Sequence, residues 1–166
     1  MNSSNCDILI QGGGPVGLAC AAWILQKFPD ANLTLLDRNS INDEELASAD
    51  SRGIALSHGS KLLLNTINAW PTEFAEIHRV HVSQAGRFGR ALMTREELKQ
   101  EALGHIIRYR DIHMVLRQAL RAIQAKSPNF TWKHVGKEAE EMNIDAKCVV
   151  HAEGGLFKTQ DWIESG

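Results

Sequence analysis

Residues 7–17 read DILIQGGGPVG, a short apolar run that stops on three glycines and a proline. The run is too short for a helix and carries the β-branched Ile8 and Ile10, so residues 7–11 predict a buried strand. From residue 15 to 28, Val16, Leu18, Ala19, Ala22, Trp23 and Ile24 recur at helical spacing, and Pro29 marks the stop. Residues 32–37 (NLTLLD) predict a second strand. Strand, helix and strand within roughly thirty residues make a parallel βαβ unit, because parallel neighbours need a long crossover. This order constrains the chain to an α/β fold built on a parallel sheet.

Gly12, Gly14 and Gly17 fit the pattern G-x-G-x-x-G between that strand and helix, which is the context the pattern requires. Gly12 permits the tight exit from the strand. Gly14 lets the backbone approach a pyrophosphate, and Gly17 lets the helix pack closely on the sheet. Pro15 and Val16 open the helix. Proline suits this first turn because the donor it lacks would have no partner there. The free N–H groups and positive dipole end of the helix then face the phosphates. Asp37 ends the second strand twenty residues after Gly17, placed to accept hydrogen bonds from ribose hydroxyls, and Arg38 follows it. A carboxylate there disfavours a 2′-phosphate, so NADP is not expected at this site, while NAD and FAD both remain open.

Residues 39–53 are polar and acidic and read as a loop. Residues 57–67 predict a helix with Ser57 as its N-cap. Residues 78–84 alternate like a strand, and 87–101 carry no clear pattern. Residues 105–109 predict a short strand. A helix follows over 111–126, where Ile112, Val115, Leu116, Ala119, Leu120 and Ile123 keep the i, i+3, i+4, i+7 rule. Residues 130–135 and 147–152 predict two more strands. With 166 residues, 43% of them hydrophobic, the chain suffices for one domain and its core. A net charge of -2 without basic runs argues against nucleic-acid binding. No apolar stretch approaches the ~20 residues needed to span a bilayer, and the opening MNSSNCD lacks the positive region of a signal peptide. Cys6, Cys20 and Cys148 form no C-x-x-C pair and the seven histidines are scattered, so neither a disulfide framework nor a metal site is expected. Free thiols suit a reducing cytoplasm. No G-x-S-x-G surrounds Ser57 or Ser60, so no hydrolase nucleophile is indicated.

The stretch Asp50-Ser51-Arg52-Gly53-Ile54-Ala55-Leu56-Ser57-His58-Gly59-Ser60, followed by Leu62-Leu63, decides between the two dinucleotides. It resembles the D-x-R-x-x-A-L-S-x-x-S segment of the FAD-dependent aromatic hydroxylases, in the ubiquinone-biosynthesis branch. The resemblance continues through Trp70, residues 101–107 (EALGHII) and 116–120 (LRQAL), and covers about residues 6–125. It implies a Rossmann-like FAD-binding fold of the p-hydroxybenzoate hydroxylase type, with FAD as cofactor. It further implies that Asp37 binds the adenosine ribose and that Arg52 lies near the pyrophosphate and flavin. Read from the residues alone, Arg52 is a fork of donors able to pair with phosphate, but the simpler expectation is a solvated ion pair with Asp50. In Tyr109-Arg110-Asp111, which matches the place over the ribityl chain, the resemblance points to Arg110. Asp111 is more simply a helix cap or first-turn acid. The family's Asp-Gly motif, which contacts flavin and reduced nicotinamide, matches Glu153-Gly154 here.

Two departures from the family stand out. Glutamate replaces the aspartate of that late motif, and the usual serine and arginine beyond it are missing. Family members are also more than twice as long, so residues 1–166 are expected to form the N-terminal part of an FAD-binding domain. The substrate-covering half would lie elsewhere. The implied activity is hydroxylation of a small aromatic quinone precursor in ubiquinone biosynthesis, with NAD(P)H or an unidentified partner as electron donor. The implied setting is the cytoplasm or the periphery of the inner membrane, beside other ubiquinone-biosynthesis proteins. The flavin carries such chemistry, so no catalytic acid or base is assigned. Two alternatives stay open. An NAD-binding dehydrogenase domain leaves residues 50–60 unexplained, and a catalytically inactive fragment would explain the missing second-half motifs.

Overall fold

A computed structural model describes residues 5–37, 50–83, 89–135 and 144–154. Arg38, most of the acidic loop, the acidic patch at 138–141 and the last twelve positions fall outside these. The first strand, β1 (Asn5–Gln11), runs into helix α1 (Pro15–Lys27) and then strand β2 (Leu33–Asp37), as the pattern predicts. Two later strands, β8 (Phe130–His134) and β9 (Asp145–His151), complete a four-stranded sheet of order β8-β2-β1-β9. Every pairing in it is parallel. In register, Gln11 lies beside both Leu36 and His151, and Asp37 beside His134. The carboxyl ends of all four strands therefore finish at one level. Because β1 leads through α1 to β2 on one side and has β9 on the other, the crevice above β1 is a topological switch point, where open α/β sheets place their ligands.

The predicted second long helix is α3 (Tyr109–Gln124), which packs beside α1. Leu18, Ala21, Ala22 and Leu25 of α1 share one core with Ile112, Leu116 and Leu120 of α3 and with Ile10, Leu33 and Leu35 of the sheet. Burying each of the larger side chains contributes roughly 1.5–3 kcal/mol. The helix begins two residues earlier than the sequence suggests. Arg108 is its N-cap and Asp111 a first-turn acid, since the carbonyls of Arg52 and Asp50 accept from the amides of Tyr109 (2.8 Å) and Arg110 (3.2 Å). Those carbonyls satisfy donors that a helix start otherwise leaves open.

Between the two helices lies antiparallel structure that the sequence only partly announces. Strand β3 (Gly53–Ser57) begins where the expected loop ends and pairs with β7 (Gly104–Arg108), which also holds β4 (Ala75–Ile77). Helix α2 (His58–Thr66) follows β3, and the Ser57 hydroxyl accepts from the Ser60 amide at 3.1 Å as the expected N-cap. The strand expected over 78–84 is β5 (Arg79–Ser83), and β4 precedes it, separated at His78. Strand β5 forms a hairpin with β6 (Arg90–Thr94) in the region without a clear pattern. Strand β6 is exposed along nearly all its length, so no burial stripe marked it. Among the described residues no helix is long and apolar enough to cross a membrane.

Candidate functional site

The glycine turn sits at the carboxyl end of β1, and its glycines divide the work unequally. Gly12 has φ +114°, a conformation that side chains resist, and a Cβ on it would lie 2.6 Å from the Ala152 carbonyl carbon and 2.8 Å from the Glu153 nitrogen. The end of β9 thus presses on the turn, secured by the Ala152 amide donating to the Gln11 carbonyl at 2.7 Å. This brings the backbone of the exposed Glu153 beside Gly12, and the exposed Gly154 follows in the chain. At Gly17 a Cβ would overlap the Gly12 carbonyl oxygen, so helix and turn touch there. Gly14 is different. A Cβ on it would meet only the Tyr109 hydroxyl, at 3.7 Å. Gly14 is the N-cap of α1 and offers no side-chain cap, Pro15 follows it, and Val16 is 71% exposed. An open Cα face and uncapped first-turn amides suit an anion.

Gly13, given no role from the pattern, is the most enclosed of the set. A Cβ there would overlap the Asp37 carboxyl group, and its carbonyl accepts from His113 Nε2 at 2.8 Å. Asp37 itself is 3% exposed. Its Oδ2 lies 3.8 Å from Arg117 Nη1 and 3.9 Å from His134 Nδ1, and the Arg117 guanidinium rests 5.2 Å from the Trp132 ring centroid. The expected ribose-binding carboxylate is therefore turned toward protein groups on its Arg117 side. His113 and Arg117 escaped the sequence reading because they flank an apolar stripe. Their i, i+4 spacing on one helix was the available signal.

Burial pushes the His113 imidazole below its ordinary value, with the nearby Arg117 charge adding to this and the Gly13 hydrogen bond opposing it. The ring is therefore neutral at pH 7, and its Nε2 must carry the proton that Gly13 receives.

The opposite rim of the turn is built by residues 50–52 and the start of α3. Arg52 Nε donates to both Asp50 carboxylate oxygens at 2.8 Å, and its Nη2 pairs with Oδ2 as well. That pairing holds the Asp50 carboxyl below the usual range and raises Arg52 further. The guanidinium is 79% exposed and stands 5.9 Å from the Tyr109 ring centroid. Asp50, Arg52, Tyr109 and Gly14 thus follow one another around the rim. Burial, then the Asp50 charge, raises the Tyr109 phenol, which keeps it a protonated donor. Arg110 reaches its neighbour Asp111, Nε to Oδ1 at 3.3 Å. Of the expected site residues, Gly12, Gly14, Pro15, Val16 and Gly17 form the turn, and Glu153 borders it at Gly12 with Gly154 next in the chain. Asp37 lies beneath it, Arg52 joins it through Tyr109, and Arg110 is one residue further along the rim.

No family model and no curated protein matches the sequence. Among solved structures, the chain is similar to p-nitrophenol 4-monooxygenase PnpA from Pseudomonas putida DLL-E4, with a TM-score of 0.53 and 19% identity over 78% of this chain and 32% of that one. It is also similar to the flavin-dependent monooxygenase PieE, solved in complex with FAD and substrate, with a TM-score of 0.51 and 14% identity over 78% of this chain and 24% of that one. The chain spans about a third of PnpA and about a quarter of PieE. What this likeness establishes is the fold: an α/β unit around a parallel sheet, of the kind found in these flavin-dependent monooxygenases.

Proposed function

We propose that this chain is the FAD-binding portion of a flavin-dependent monooxygenase that hydroxylates an aromatic ring. The observation that carries the reading is Gly14, an open backbone face at an uncapped helix N-terminus, set above a switch point of a parallel sheet. In this reading Gly12 and Gly17 shape the turn, and Gly14 with the N–H groups of Val16 and Gly17 receives the pyrophosphate. Arg52 and the Tyr109 hydroxyl supply donors from the facing rim, Arg110 lies toward the cofactor's length, and Glu153-Gly154 borders the flavin side. Asp37 fits a ribose less directly, because its carboxylate is buried under Gly13. Its more immediate job is to tie the turn to α3. FAD, once reduced by NAD(P)H, supplies the chemistry that transfers oxygen from O₂ to the ring.

The resemblance of residues 50–60 to the ubiquinone-biosynthesis hydroxylases supports a quinone precursor as substrate. It likewise supports a place among other ubiquinone-biosynthesis proteins, in the cytoplasm or at the inner-membrane periphery. Residues 1–166 would then be the N-terminal part of the cofactor domain, the substrate-covering part being supplied by further sequence.

Adding FAD to the purified chain and recording its absorbance near ~450 nm after desalting tests this reading. Retained flavin is the expected result. A chain that stays colourless with FAD but binds NAD would overturn it in favour of a dehydrogenase domain. Retained FAD without NAD(P)H oxidation in air would make this chain a binding portion that does not turn over alone.

A further inference from the structure

We infer that His113 is a positioning residue that holds the Gly13–Gly14 peptide in the one orientation able to receive a dinucleotide phosphate, an inference that rests on the reading of the turn just given. The Gly13 carbonyl and the Gly14 N–H belong to a single trans peptide plane and point in opposite directions. His113 Nε2 grips that carbonyl at 2.8 Å from the α3 side. The Gly14 N–H must then point away from α3, toward the open side of the turn, and it has no acceptor among the described residues. Turned over, the same peptide would aim a carbonyl oxygen at the phosphates and repel them.

A pin is needed here because the peptide lies between two glycines. Neither has a Cβ to resist rotation, so both orientations are sterically accessible to the backbone. The contact of Gly13 with Asp37 restrains the Cα, not the plane of the peptide that follows it. His113 restrains the plane itself. Its surroundings fit a fixed donor. The side chain is 7% exposed and its Nδ1 has no hydrogen-bond partner, so the ring holds Nε2–H without a competing acceptor. Tyr109 (ring centroids 6.0 Å apart) and the Asp37–Arg117 pair enclose it.

Glutamine extends an amide donor about as far as Nε2, whereas asparagine stops short, so the two variants differ in reach more than in polarity. His113→Gln is expected to bind FAD within about threefold of the natural chain. His113→Asn and His113→Phe should weaken it about ten- to hundred-fold, as for loss of a donor to a charged group. The Gly14 amide cross-peak in a ¹⁵N–¹H spectrum without cofactor should stay in place in His113→Gln and move in the other two. Ring ¹⁵N shifts of the natural chain should show a protonated Nε2 and a bare Nδ1. Equal FAD affinities across the variants with an unmoved Gly14 signal would overturn the role of His113 and leave the site standing. A protonated Nδ1 and bare Nε2 would overturn it without any binding measurement. A natural chain that binds neither FAD nor NAD would remove the site, and this inference with it.

Discussion

Two adjacent glycines in the turn should fail in different ways when substituted. Gly14 has φ -73° and ψ 176°, allowed for any residue, and its Cβ position touches only the Tyr109 hydroxyl. Gly14→Val should change unfolding free energy by no more than about 0.5 kcal/mol while abolishing measurable FAD binding, because the branched side chain fills the phosphate's approach. Gly13→Ala drives a methyl into the Asp37 carboxyl, so it should cost about 1–3 kcal/mol in a urea melt. A Gly14→Val chain that still takes up FAD would place the cofactor elsewhere.

The buried histidines give a pH dependence with a definite sign. Burial depresses both His113 and His105, the latter with help from Lys61. Below the ordinary value near ~6.5 the unfolded chain takes up protons that the folded chain refuses, so stability is full above that pH and falls as pH drops beneath it. Urea melts at about pH 7.5 and about pH 5.5 should show this loss, and His113→Gln should reduce it. That Gly13 and His113 would matter was hard to read from the sequence. The glycine pattern gives Gly13 no role, and its partners stand 24 and 100 positions away.

At the level of elements, α3 shows how far periodicity reaches. Its apolar positions predicted the buried face correctly, because a helix that packs on a sheet must repeat its contacts every 3.6 residues. Leu120 is fully buried in that face, so Leu120→Ala should cost about 2–5 kcal/mol by urea melt, with no direct effect on the turn. The same reasoning found β1, β2 and α1 but missed β3 and β6. Strand β3 alternates between exposed and half-buried positions, and β6 is exposed along nearly all its length, so neither hides enough apolar surface to set a pattern. Their pairing comes from β7 and β5, which sequence distance concealed.

For the whole molecule, the proposed cofactor would link binding to stability. FAD that binds only the folded chain should raise the midpoint of thermal unfolding progressively with FAD concentration, by about 2.7 kcal/mol of added stability at a hundredfold excess over Kd. On the proposed reading NADP should produce no such shift, because a carboxylate at Asp37 disfavours a 2′-phosphate. A thermal scan with each nucleotide separates the cases, and an equal shift with NADP would count against the assignment of this site.

The sequence by itself determined the βαβ unit, the parallel sheet and the glycines at its turn. Those features are local: strand length, helical period and the steric demands of a tight turn are all written within some thirty residues. Only the tertiary structure decided what the turn is fastened to. It brought His113 to the Gly13 carbonyl, Arg117 to Asp37, Tyr109 to Gly14 and the end of β9 to Gly12. Each of those contacts joins residues about 80 to 140 positions apart. They follow from the crossing of α3 beneath the turn and the parallel insertion of β9 beside β1, which no single segment's periodicity encodes.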